Sequence, residues 1–110
     1  MKLAANIFEV VDWASEPPTE HSGDRGVAWW RTRMIGDVRV RLVEYSPGYA
    51  ADHWCDRGHI LFVVEGELTT ELRDGRKFHL TPGMSYQVSD SGDAAHRSIT
   101  DTGARLFIVD

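Results

Sequence analysis

Glycine or proline returns about every ten residues from Pro17 onward, and no stretch between these breaks sets apolar side chains at helical spacing. A helix of ordinary length would have to cross one of them, so the chain is confined to short extended segments. Those segments alternate. DVRVRLVEY puts Val38, Val40 and Leu42 on one face and Arg39, Arg41, Val43 and Tyr45 on the other, the period of a strand with unlike faces. HILFVVEGEL is mostly apolar and rich in branched and aromatic residues, which predicts a strand buried on both sides. GELTTELRDGRKFHL reads as a hairpin turning at Asp74-Gly75, a pair suited to a type I′ turn with positive φ at both positions. VAWWRTRMI, TPGMSYQV, HRSIT and ARLFIVD supply further strands, and SEPPTEHSGDRG an extended surface segment. About eight short strands with regular turns predict an all-β sandwich or closed barrel. We expect a single domain over residues 1–110, less regular over 1–26.

A formal charge of −5 disfavours nucleic acid as a partner, because phosphate binding needs a net basic face. In the N-terminal MKLAANIFEVVDW, Glu9 and Asp12 interrupt every apolar run, which predicts neither a secretory signal nor a membrane span. A cytoplasmic protein with no membrane partner is the expectation. Cys55 is the single cysteine, so no intrachain disulfide forms. Such a residue is a small buried hydrophobe, a metal ligand or a nucleophile.

Chemistry concentrates in residues 52–59, DHWCDRGH. His53 and Cys55 lie two apart, so on an extended segment both point to one face while Trp54 points away. His59 follows the DRG turn and opens the next strand, and His96 opens another after a glycine turn. Four nitrogen and sulfur donors converging from a rigid scaffold suit one divalent zinc or iron ion. A metal or cationic neighbour would hold Cys55 as thiolate. Cys55 reads equally as a ligand or as a buried thiol beside the metal. A Cys55 nucleophile with His59 as base is a further reading, although no glycine loop beside it supplies an oxyanion hole. His21 and His79 read as surface or hydrogen-bonded residues.

An inward arginine beside a metal would suit a small carboxylate, whose two oxygens match the guanidinium fork. Arg41, Tyr45, Phe62 and Tyr86 are the candidates for binding such a substrate. At least three of Arg31, Arg33, Arg39 and Arg41 are expected to face water and pair with Glu44, Glu67 or Glu71.

PGYAADHWCDRGHILFVVEGEL resembles the first conserved motif of the cupins: a turn glycine (Gly48), a histidine pair, a glutamate and a closing glycine (Gly66). His53 matches the first histidine, Cys55 stands in place of the second, and His59 in place of the glutamate. PGMSYQVSDSGDAAHRSIT resembles the second motif, starting at Gly83, with DSG replacing the Pro-x-Gly turn, His96 as the metal histidine and Thr100 near the usual asparagine. The resemblance covers residues 38–110. The whole chain is similar to small bacterial cupin-fold proteins named for a D-H-C-W motif, here in the order DHWC. It implies a jelly-roll barrel (a double-stranded β-helix), a mononuclear Zn or Fe site at His53, Cys55, His59 and His96, and a small-molecule ligand. It also implies a homodimer, with NIFEVVDW and VAWW as segments suited to the contact. The activity expected is that of a metal-dependent dioxygenase, isomerase or lyase, and the alternative is a non-enzymatic metal- or ligand-binding module.

Overall fold

The computed structural model describes residues 2–4 and 7–110. Asn6, the first residue of the NIFEVVDW segment, lies outside them. Among the described residues a short 3-10 turn at Trp13–Ser15 precedes nine strands. These are β1 (Thr19–Ser22), β2 (Val27–Ile35), β3 (Val38–Tyr45), β4 (His59–Gly66), β5 (Leu68–Leu72), β6 (Lys77–Leu80), β7 (Ser85–Val88), β8 (His96–Ile99) and β9 (Ala104–Val109). They form two antiparallel sheets, ordered β1-β2-β3-β9-β4-β7 and β6-β5-β8. Bridges Ala50↔Ile99 and Cys55↔His96 add the segment before β4 to the free edge of β8, and Arg25↔Ala50 ties that segment to the connection between β1 and β2. The result is an all-β jelly roll. No helix among the described residues is long and apolar enough to cross a membrane.

The core lies between the sheets, where alternation sends every second side chain. Val43, Leu61, Val63, Leu68 and Leu106 are almost wholly buried. Burying each is worth about 1.5–3 kcal/mol relative to exposure. Along β3 the inward face is the one bearing Arg39, Arg41, Val43 and Tyr45.

Two expectations fail here. Strand β4 is buried on one face only: Leu61 and Val63 point in, while Ile60, Phe62 and Val64 are 45%, 42% and 38% exposed. The smaller sheet covers one side of the larger one, and on the opposite side, among the described residues, Trp13 sits edge-on to Phe107. The Asp74-Gly75 turn is not type I′, because Gly75 alone has positive φ (99°). Gly75 N–H donates to the Leu72 carbonyl at 2.9 Å and Leu72 N–H to the Arg76 carbonyl at 2.8 Å, a longer loop closed by a left-handed glycine. The Asp74 carboxylate, which accepts the Arg76 N–H at 3.0 Å, stabilises that geometry.

The start of the chain also gains order the sequence did not predict, since Thr19–Ser22 within SEPPTEHSGDRG forms β1 against β2. At Gly66, φ is 78° and a Cβ would stand 2.1 Å from the Gly103 carbonyl, so the closing glycine of the first motif is required by backbone contact.

Candidate metal centre

Cys55 and His96 exchange both backbone hydrogen bonds, Cys55 N–H to the His96 carbonyl at 2.8 Å and His96 N–H to the Cys55 carbonyl at 2.9 Å. Directly paired residues of an antiparallel bridge share a face, so both side chains enter the barrel together. His59 reaches the same point from the first position of β4, inward like Leu61 and Val63. The loop before it is pinned: Gly58 N–H donates to the Asp90 carboxylate and Ser91 N–H to the Asp56 carbonyl. A Cβ at Gly58 would lie 2.6 Å from the Asp90 nitrogen, so only glycine permits this approach.

One ligand atom each from Cys55, His59 and His96 falls within 4.8 Å of the others. The remaining ring nitrogens are already committed. His96 Nδ1 lies 2.9 Å from the Ala94 carbonyl, which can only accept, so Nδ1 carries the proton and Nε2 presents a lone pair. His59 Nε2 lies 2.9 Å from the Tyr86 hydroxyl. With Nε2 donating there, Nδ1 is left free. These two free nitrogens, His59 Nδ1 and His96 Nε2, are both buried and without a hydrogen-bond partner. Orphaned buried nitrogens cost stability unless something meets them, and a cation between two imidazoles and a thiol does so.

For Cys55 and His59 the electrostatics favour the coordinating forms, thiolate and neutral imidazole, whereas His96 is held toward its protonated form, which a cation would displace. The His96 ring beside it, chiefly, holds the Cys55 thiol below its ordinary range, with burial opposing. Burial, then the neighbouring His96, pushes His59 down to about 4, so it is neutral at pH 7. Burial also works to lower His96, but Cys55 and the Ala94 carbonyl outweigh it and leave that histidine raised. The group can hold a metal ion.

His53 stands apart from the trio. Its side chain is 76% exposed and paired with Asp52 at 2.6 Å, at the rim of the cavity that the other three enter. The short run 52–55 is not a full strand, so the two-residue spacing did not carry His53 inward with Cys55.

The cavity is about 140 Å³ and its wall includes Arg39, Arg41, Tyr45, Tyr86 and Asp110. Phe62 is absent from it, because β4 alternation turns that ring to the outer surface. The arginines also depart from expectation. Arg31 and Arg33 reach the N-terminal segment at Glu16 and Glu9, but Arg39 and Arg41 point inward. Arg39 makes a two-pronged contact to Asp110 at 2.9 and 2.8 Å, and Arg41 adds a third contact at 3.3 Å. The Asp110 carboxylate is 1% exposed. Burial would raise it, but the arginines, Arg39 first, hold it below the usual carboxylate range. Arg41 lies 4.4 Å over the Trp30 ring and is 6% exposed, yet its Nε has no partner.

Asp110 and Arg39 escaped the sequence reading as cavity residues. Parity could have found both: Asp110 alternates with Leu106 and Ile108, and Arg39 with Arg41.

No family model matches this chain, and no curated protein matches it in sequence. Solved structures do match in shape. The polyketide cyclase RemF from Streptomyces resistomycificus superposes with a TM-score of 0.75 at 18% identity, over 94% of this chain and 78% of that one. A cupin-like protein from Thermotoga maritima gives 0.70 at 20% identity, over 89% and 79%. This chain has the cupin fold. Fe(II)-HppE, solved with an alternative substrate, gives 0.73 at 15% identity over 99% of this chain and 62% of that one. At such identities the likeness extends to the cupin fold alone.

Proposed function

We propose that the chain binds one divalent transition metal through Cys55, His59 and His96, and that the adjoining cavity takes a small carboxylate-bearing molecule. The observation that carries the reading is that Cys55, His59 and His96 bring one ligand atom each within 4.8 Å of the others, and that each of the two imidazoles keeps one buried nitrogen without a hydrogen-bond partner. A soft thiolate with two imidazoles favours zinc. With His53 outside the group, three protein ligands leave a fourth position open, the pattern of catalytic rather than structural zinc sites. When bound, such an ion polarises a carbonyl or carboxylate oxygen or lowers the pKa of a water.

The chain's own residues do the rest. Arg41, buried and held flat by Trp30, offers a free Nε to a carboxylate oxygen. Asp110 holds Arg39 and Arg41 in place and, ionised among them, neither gives up a proton nor takes one readily. The Tyr86 hydroxyl fixes His59 by accepting from its Nε2, and burial raises the Tyr86 pKa, so its own O–H remains protonated near neutral pH. This arrangement favours a lyase or isomerase step on a small acid. We also propose the expected homodimer, with the exposed Phe8 and Val10 of the NIFEVVDW segment, beside VAWW, as its contact and the exposed apolar row Ile60, Phe62 and Val64 as a further face suited to it.

Elemental analysis of untagged protein purified without chelators tests the metal reading. Wild type should carry about one zinc per chain. His96→Ala should lose it and melt at lower temperature, since the ion stabilises only the folded state. Near-stoichiometric iron would keep the site but move the chemistry to dioxygen. An unchanged metal load in His96→Ala, or none in wild type after reconstitution, would overturn the assignment.

A further inference from the structure

A second cavity, about 210 Å³, lies on the far side of the site, between the sheets where β6 and β7 are not hydrogen-bonded to each other. Its walls include Leu72, Phe78, Val88 and Ala94 with Gln87 among them, and Phe78 is half-exposed at the rim. Tyr86 and His96 line this chamber and the metal cavity alike. The two spaces thus meet at one pair of rings, whose centroids are 5.9 Å apart. Thr70, only 3% exposed, lies on the chamber wall with its hydroxyl close to that of Tyr86.

The two spaces differ in chemistry. The metal cavity has Arg39, Arg41 and Arg97 on its wall against Asp110 alone, in a chain whose net charge is −5. The chamber wall carries no Asp, Glu, Lys or Arg. An apolar cavity of this order of size accepts a benzene-sized group.

We infer that the chamber is a subsite for the apolar tail of the acid whose carboxylate Arg41 receives, so that the ligand class is a short alkyl or aryl carboxylic acid. This rests on the carboxylate reading above. The chamber fixes tail length, because a chain longer than its depth must leave through the Phe78 rim.

Calorimetric titration of the protein as purified with acetate, butyrate, hexanoate and 3-phenylpropionate tests it. Each methylene that enters the chamber should tighten binding about fourfold, and hexanoate should bind about tenfold or more tighter than acetate. Val88→Phe, which fills the chamber, should collapse the hexanoate-to-acetate ratio toward unity. Leu72→Ala, which deepens it, should move the optimum to longer acids and keeps the test alive if the filled variant does not fold. A flat series in wild type, or a ratio unmoved by both variants, overturns the subsite while leaving the carboxylate reading intact. No binding by any acid, acetate included, overturns the carboxylate reading and the subsite with it.

Discussion

The inner surface of the larger sheet has two ends made by the same strands and opposite in chemistry. At one end Leu106 of β9 lies between Val43 of β3 and Val63 of β4, all at 1% exposure or less. A few residues along the same strands the inward positions are Arg39, Asp110 and His59, beside Cys55 and His96. Period-2 alternation chooses which side chains enter the barrel. Nothing in it requires that those side chains be apolar. The packed end stabilises the fold, and the polar end, whose burial costs free energy unless each group is met, gathers the donors.

The contrast predicts different failures. Leu106→Ala at the packed end should cost about 3 kcal/mol through lost burial and the cavity left behind. Urea unfolding should read this as a lower midpoint, and the folded fraction should keep its metal content. A cost under about 1 kcal/mol would mean that the packed end is not what holds the barrel together.

Asp110→Asn at the polar end should cost less, about 2 kcal/mol, through charge-assisted hydrogen bonds made neutral. It should also change how stability depends on pH. Because the folded-state pKa of Asp110 is held below its ordinary value of 3.8, its contribution is fully present above that value. It is lost as pH falls through the lower, folded value. Unfolding midpoints measured down the acid side should therefore fall less steeply for Asp110→Asn than for wild type below about pH 4. Parallel acid limbs would mean that the carboxylate is not the ion that fixes Arg39 and Arg41.

Much of the barrel was legible because turns and alternation are local. The spans of β2, β3 and β4 follow from Gly, Pro and period-2 patterning alone, and Gly66 and His96 fall where the motifs put them. What escaped depended on long-range closure. Whether Ile60, Phe62 and Val64 are covered depends on what packs on the outer side of the larger sheet, which no β4 residue encodes. Arg39 looked like a solvated residue because its partner, Asp110, is distant in sequence and adjacent only once β3 and β9 pair. Cys55 and His96 share a face through a single bridge between distant segments, whereas the neighbouring His53, outside that bridge, turns to solvent. Proximity in sequence was a weaker guide to the site than pairing across strands.

The most direct test of the central claim is the absorption spectrum of cobalt(II)-substituted protein, taken for wild type, Cys55→Ser and His53→Ala. A Cys–His–His site should give an intense thiolate-to-cobalt charge-transfer band in wild type, retained in His53→Ala and abolished in Cys55→Ser. Loss of the band in His53→Ala, or its absence from wild type that has taken up cobalt, would contradict the assignment of Cys55, His59 and His96 as the metal-binding set.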